Sequence, residues 1–125
     1  MNEKRKILVI DDDEITGYLV KYSLEFSGKY EVLYSPNGQD GVMTAALMKP
    51  DLILLDILMP NMSGTDVIEK LMENPKTKDI PVIFLTGAVT KADIKTQGGI
   101  VGGRRFLSKP VSSSDLLSTV ESVFK

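Results

Sequence analysis

Apolar residues are arranged along this chain in two alternating patterns. Short runs rich in isoleucine, valine and leucine are typical of strands buried on both faces, and they lie at Ile7–Ile10, Leu52–Leu55 and Val82–Leu85. Weaker strand patterns cover Val32–Tyr34 and Arg105–Leu107. Stretches with helical spacing follow these runs, so the pattern predicts a strand followed by a helix, five times over.

The predicted helices have apolar residues three or four positions apart, and such a stripe normally faces the core. In the first helix the stripe consists of Ile15, Leu19, Tyr22 and Phe26. The stripes of the second, third and last helices are Val42, Ala45 and Ala46; Val67, Ile68, Leu71 and Met72; and Leu116, Leu117, Val120, Val123 and Phe124. The fourth helix, Thr90–Gln97, is polar and is followed by glycines, so we expect it to be short.

Alternating strands and helices predict a parallel sheet with helices on both faces. Right-handed crossovers leave few topologies, and the five-stranded order 2-1-3-4-5 is a common one. We therefore predict an α/β fold of the doubly wound, flavodoxin-like (βα)5 type, as one domain over residues 1–125. In this fold, ligands bind beyond the carboxyl ends of strands one and three.

Polar residues follow four of the predicted strands. Asp11 and Asp12 follow the first strand, Asp56 follows the third, Thr86 the fourth, and Lys109 comes shortly after the fifth. Because the carboxyl ends of parallel strands meet at one edge of the sheet, these side chains should share a pocket. A carboxylate at the end of a buried strand is costly unless a cation or hydrogen-bond donors satisfy it.

The acidic turn Asp11-Asp12-Asp13 allows two interpretations. Aspartates at the start of a helix cap its free N–H groups, and we expect this role for Asp13. Asp11 and Asp12 come earlier, where capping is less natural. Three carboxylates repel one another by about 4 kcal/mol per pair at roughly 4 Å. Mg²⁺ accepts such ligands and leaves positions open for phosphate oxygens, so the pocket suits a divalent metal and a phosphate.

Composition excludes several classes of site. The 125 residues are 42% hydrophobic and 26% charged, with a net charge of −2, so no basic field attracts nucleic acid or an anionic membrane. The absence of cysteine and histidine excludes disulfides, a Cys/His zinc site and a phosphohistidine on this chain. No apolar run is long enough for a signal-peptide core or a membrane span, and we expect a cytoplasmic location.

With these residues in place, the chain closely resembles the receiver domain of two-component response regulators. The matching motifs occur in order over essentially the whole chain. They are the Asp11-Asp12 pair, Asp56 within DLILLDILMPNMSG, Thr86-Gly87 and Lys109-Pro110.

The resemblance implies a phosphorylation site and a metal site. Asp56 is expected to accept a phosphoryl group and become an aspartyl phosphate. Asp12, Asp56 and the backbone carbonyl of Leu58 would bind Mg²⁺ directly, and Asp11 would bind it through water. The phosphoryl donor would be a phosphohistidine on a histidine kinase or a histidine phosphotransfer protein. The domain would catalyse only its own phosphorylation and dephosphorylation, and in this sense it is not an enzyme.

The resemblance also implies a switch. Thr86 and Lys109 would contact the phosphoryl oxygens, and Phe106 would move as Thr86 is drawn toward the phosphate. The Lys109-Pro110 peptide is expected to be cis. The surface formed by the fourth helix, the fifth strand and the fifth helix would contact an output domain or form a homodimer.

Four features bear on output and on the lifetime of the phosphate. Arg104-Arg105 stands where relatives often have acidic residues, and the Gly98–Gly103 stretch is unusually rich in glycine. Both alter the expected output surface.

Leu58 and Ala88 occupy positions that influence the hydrolytic water in relatives, and neither side chain can hydrogen-bond to it. We therefore expect a long-lived phosphorylated form.

Three other functions compete with this one. A haloacid-dehalogenase-like phosphatase would use Asp11 and Asp13, but it leaves the Asp56 segment unexplained. A nucleotide-binding domain would need a phosphate-binding glycine motif after the first strand, and none is present. A receiver that never carries phosphate would act only as a docking module.

Overall fold

The computed structural model describes residues 4–87, 100–101 and 104–125. Its strands are β1 (Arg5–Ile10), β2 (Tyr30–Ser35), β3 (Leu52–Asp56), β4 (Val82–Thr86), β5 (Ile100–Val101) and β6 (Arg104–Ser108). Its helices are α1 (Glu14–Phe26), α2 (Gly38–Met48), α3 (Gly64–Glu73) and α4 (Ser113–Val123). The helix predicted at Thr90–Gln97, most of the glycine-rich stretch and Ala88 lie outside the described residues. None of the described helices is long and apolar enough to cross a bilayer.

The sheet has the strand order β2-β1-β3-β4-β6-β5. The five predicted strands correspond to β1, β2, β3, β4 and β6, and all their pairings are parallel. The predicted order 2-1-3-4-5 is therefore confirmed. The two-residue strand β5 pairs antiparallel with β6 and was not predicted, because two residues carry no periodicity.

The core has two layers, one on each face of the sheet. Along β3, Leu52 and Leu54 belong to the layer that includes residues of α1 and α4. Ile53 and Leu55 belong to the layer that includes residues of α2 and α3. Since both faces are covered, the central strands are continuous apolar runs, as the sequence pattern indicated.

The apolar stripe that was predicted to pack α1 against the core lies instead on the solvent-exposed face of this helix. The residues of α1 that are buried are Gly17, Val20 and Leu24. The predicted stripe is instead between 62% and 94% exposed, and it consists of Ile15, Leu19, Tyr22 and Phe26. This helix carries apolar residues on two faces, and periodicity cannot tell which face meets the sheet. We call these four exposed residues the α1 stripe.

The other described helices bury nearly all of the predicted positions at least partly. The exception in α3 is Met72, which is exposed. The N-caps agree with the sequence. Asp13 accepts a hydrogen bond from the Ile15 N–H, and Ser112 accepts one from the Asp115 N–H.

Candidate functional site

The strand register brings the predicted site residues to one edge of the sheet. Ile10 pairs with Leu55 and Asp56 pairs with Leu85, so the chain leaves β1 beside the end of β3. Thr86 pairs with Ser108, which places Lys109 just beyond the end of β4. The Lys109 N–H also donates a hydrogen bond to the Thr86 carbonyl, at 2.8 Å. The edge is thus fixed by backbone hydrogen bonding before any side chain takes part.

The acidic turn is held in place by its own backbone. The Asp11 N–H donates to the Ser35 carbonyl at 3.1 Å, which extends the pairing of β1 and β2 by one residue. The Asp11 carboxylate accepts the Asp13 N–H through Oδ1, at 2.9 Å. Asp11 is buried, whereas Asp12 is exposed. One carboxylate therefore points into the protein while the next meets solvent.

Three carboxylates meet at this edge. Asp11, Asp12 and Asp56 each offer one oxygen, and these oxygens all lie within 4.8 Å of one another. Within the described part of the chain, Asp11 Oδ2 is buried and accepts no hydrogen bond of good geometry. An all-oxygen donor set that includes a buried oxygen without a hydrogen bond fits a hard divalent cation such as Mg²⁺.

One ammonium group partly balances the cluster. Lys109 Nζ lies 2.8 Å from Asp11 Oδ2 and 3.3 Å from Asp56 Oδ2, so it bridges the two buried carboxylates. The contact with Asp11 is an ion pair without hydrogen-bond geometry. The following Lys109-Pro110 peptide is cis, as expected.

The pocket perturbs the titration of its central groups. Burial and then the charge of Asp11 raise the pKa of Asp56 to about 6, although Lys109 and the Leu58 N–H oppose the shift. Burial disfavours the charged form of Lys109, but the two carboxylates outweigh it and raise the pKa of the ammonium. At pH 7 to 8, Asp56 is therefore mostly a carboxylate, and it lies beside a charged lysine.

The loop after β3 is folded tightly against the end of the strand. The Gly64 N–H donates to the Ile57 carbonyl at 2.8 Å, and a Cβ at Gly64 would lie 2.7 Å from the Asp56 carbonyl oxygen. Only glycine permits this approach of α3. The Leu58 N–H donates to Asp56 Oδ1 at 3.2 Å, and its side chain is 64% exposed. The role of the Leu58 backbone carbonyl as a metal ligand stays a prediction.

The two predicted switch residues are on neighbouring strands. Thr86 is buried at the end of β4 and its Cα partner is Ser108, two residues beyond Phe106. By strand alternation, Thr86 and Phe106 share one face of the sheet. The Phe106 ring is half-buried and lies 5.1 Å from the Phe84 ring. This single conformation leaves the switch a prediction.

The α1 stripe continues directly from this edge. A small cavity of about 70 Å³ lies between α1 and the connection from β6 to α4. Thr16 and Leu19 line one side of it, and Lys109 and Pro110 line the other. An exposed apolar surface thus adjoins the charged cluster.

Comparison with curated proteins agrees with this geometry. The chain is 38% identical to Protein PilH of Pseudomonas aeruginosa over 118 residues, which are 94% of this chain and 96% of PilH. It is 36% identical to the DNA-binding dual master transcriptional regulator RpaA of Synechocystis, over 96% of this chain but 49% of RpaA. The match with the phosphate regulon regulator PhoB of Pseudomonas aeruginosa likewise covers 52% of that protein. The chain therefore spans about half the length of these two regulators.

Solved structures and the family profile point the same way. The chemotaxis protein CheY4 of Vibrio cholerae superimposes with a TM-score of 0.82 at 28% identity, over 97% of this chain and 99% of CheY4. A response regulator from Desulfuromonas acetoxidans gives 0.80 at 28% identity, over 96% of each chain. The profile of the response regulator receiver domain matches residues 7–121. By sequence over nearly its whole length and by fold, this chain belongs to the response regulator receiver domain family.

Proposed function

We propose that this receiver accepts a phosphoryl group on Asp56 from a phosphohistidine of a histidine kinase or histidine phosphotransfer protein. The observation that carries the proposal is the environment of Asp56. Its carboxylate is only 4% exposed, is bridged to Asp11 by Lys109, and lies in a cluster of three carboxylates. Such a group is an anionic nucleophile placed beside a fixed positive charge.

The transfer needs positioning more than covalent chemistry. An Asp56 oxygen forms a bond to phosphorus while the bond from phosphorus to the donor imidazole nitrogen breaks, and the imidazole leaves with that electron pair. Lys109 stays within reach of the oxygens on which negative charge increases. Thr86, at the end of the adjacent strand, is the hydroxyl that contacts a phosphoryl oxygen and passes the change to Phe106.

Asp11, Asp12, Asp56 and the Leu58 carbonyl would hold Mg²⁺. When bound, this ion would neutralise charge on the carboxylates and on the phosphoryl oxygens. The domain would catalyse only its own phosphorylation and dephosphorylation. The output surface around β6 and α4, and the cytoplasmic location, stay predictions.

The protein donor would dock on the α1 stripe. This surface is exposed and apolar, and through Leu19 it borders the cavity that Lys109 also lines. A partner that covers it would bring its histidine over the edge of the sheet where Asp56 lies. Exposed apolar residues also lie on α2, so the position of the α1 stripe beside the cavity lined by Lys109 is what makes it the candidate docking surface.

The pKa of Asp56 links the site to stability. Its value rises from an ordinary 3.8 to about 6 in the folded chain. The folded state therefore binds this proton more tightly, and stability falls as pH rises from about 4 to 6, by on the order of 2–3 kcal/mol. The loss is complete about one pH unit above the folded pKa, near pH 7. The ionised phosphoacceptor is thus maintained at the expense of folding stability.

The first prediction concerns the phosphoacceptor. Incubation with acetyl phosphate and Mg²⁺ should add the mass of one phosphoryl group, and Asp56→Asn should abolish the addition because it removes the nucleophile. Chelation of Mg²⁺ should block it too. Asp13→Asn is the matched control, since it alters a carboxylate of the same turn and retains a capping side chain. Labelling of Asp56→Asn at the wild-type level would refute the assignment. An unlabelled wild type would favour a docking module that never carries phosphate.

The second prediction concerns the protein donor. The double variant Leu19→Gln, Tyr22→Gln should slow transfer from a phosphohistidine protein at least about tenfold, the equivalent of ~1.4 kcal/mol of lost contact. Labelling by acetyl phosphate should stay unchanged. The control pair, Met43→Gln with Leu47→Gln, replaces two similarly exposed apolar residues on α2. Equal slowing in both pairs, or in neither, would contradict a docking role for the α1 stripe.

The third prediction concerns pH. Without divalent cations, Asp56→Asn should raise the free energy of unfolding at pH 8 by about 1–3 kcal/mol, because it removes a buried charge facing Asp11. The gain should shrink toward zero near pH 4. Urea unfolding across this range measures it. Asp13→Asn should show no gain at pH 8, since a hydrogen bond from Thr16 lowers the pKa of Asp13. A pH-independent difference for Asp56→Asn would argue against the raised pKa.

A further inference from the structure

Tyr34 contacts the acidic turn, although the sequence pattern marks it only as a strand residue. It is the penultimate residue of β2, and its hydroxyl donates a hydrogen bond to the Asp11 carbonyl at 2.8 Å. The ring is half-buried and lies 5.5 Å from the Tyr18 ring of α1. One aromatic side chain therefore joins β2, α1 and the turn that carries two of the three clustered carboxylates.

Gly17 makes room for this ring. A Cβ at position 17 would lie 2.3 Å from Tyr34 Cε1, a separation that no side chain tolerates. A glycine inside a helix lowers helix stability by about 1 kcal/mol relative to alanine. At position 17 the glycine is needed because the Tyr34 ring occupies the space that a Cβ would fill. Gly17 and Tyr34 form a complementary pair.

The hydroxyl completes the support of Asp11. The Asp11 N–H donates to the Ser35 carbonyl, and the Asp11 carbonyl accepts a hydrogen bond from the Tyr34 hydroxyl. The last two residues of β2 therefore bind both backbone polar groups of Asp11. Oδ1 accepts the Asp13 N–H, and Oδ2 faces Lys109. The Asp11 carbonyl belongs to the peptide that joins Asp11 to Asp12, so the Tyr34 hydroxyl bonds directly to this peptide.

We propose that Tyr34 is a positioning residue whose hydroxyl fixes the Asp11–Asp12 peptide, so that both carboxylates are arranged in advance for a divalent cation. The proposal rests on the metal site of the proposed function. Groups that orient metal ligands typically change metal affinity by about 10-fold or more when they are removed. Burial, with the nearby charge of Asp11, raises the pKa of Tyr34 to about 12, so the phenol keeps its proton and remains a donor.

The test is Tyr34→Phe in the full chain, which keeps the ring and removes the hydrogen bond. The Mg²⁺ dissociation constant, followed by amide chemical shifts, should rise about 10-fold. Without metal, hydrogen exchange at the Asp11 and Asp13 amides should accelerate, while the amides of β3 should be unchanged. Tyr30→Phe is the matched control, because it makes the same chemical change at the opposite end of β2, away from the acidic turn, and should alter neither measurement.

Gly17→Ala tests the pair from the other side. The added methyl displaces the ring while the hydroxyl remains, so Mg²⁺ affinity should again fall. Combined with Tyr34→Phe, the two effects should be less than additive, because both act through the same hydrogen bond.

Wild-type Mg²⁺ affinity together with wild-type exchange at Asp11 and Asp13 in Tyr34→Phe would overturn the proposal and reduce Tyr34 to packing. If wild-type protein bound no Mg²⁺, the proposed metal site and the positioning role for it would both fail. Faster Asp13 exchange in Tyr34→Phe would then still show that the hydroxyl holds the turn.

Discussion

The site depends on keeping two buried carboxylates and a third, exposed one close together, with the Lys109 ammonium bridging the two buried ones. At an effective dielectric near 20, two carboxylates about 4 Å apart repel by on the order of 4 kcal/mol, and among these groups that dielectric suits the buried pair Asp11 and Asp56. Lys109 offsets part of this through its contacts with Asp11 and Asp56 at 2.8 and 3.3 Å. The remaining repulsion must be overcome by the fold, whose central strands are buried on both faces. Any cation or phosphoryl group that enters changes this balance, which is the property that a switch requires.

Small residues and backbone hydrogen bonds give the cluster its shape. Gly64 lets α3 approach the Asp56 carbonyl, and Gly17 lets the Tyr34 ring lie against α1. The Asp11 and Lys109 N–H groups each donate to a carbonyl of a neighbouring strand end. The charged side chains therefore project from backbone that is already fixed, which limits the reorganisation needed when a ligand binds.

Much of the fold and the cluster could be predicted from sequence, for two physical reasons. Parallel strands covered on both faces must be continuous apolar runs, and their carboxyl ends must share an edge. Asp56 and Lys109 could thus be placed at the same edge from the sequence pattern alone. The buried face of α1 could not be predicted from the sequence, because Leu19 and Leu24 lie on different apolar faces of the same helix. The pairing of Tyr34 with Gly17 also escaped, since it arises only where β2 and α1 meet in space. Motion of Phe106 requires a second state of the protein, which neither sequence nor one conformation supplies.

The most direct test of this account is the effect of Mg²⁺ on unfolding at pH 8, compared between wild type and Asp56→Asn. If repulsion in the carboxylate cluster is the controlling interaction, Mg²⁺ should stabilise the wild type progressively, following the logarithm of its concentration above the dissociation constant. The variant should start more stable and gain much less, because it has lost both the excess charge and one ligand. Equal gains in the two proteins, or no gain in either, would contradict a cation site built from Asp11, Asp12 and Asp56.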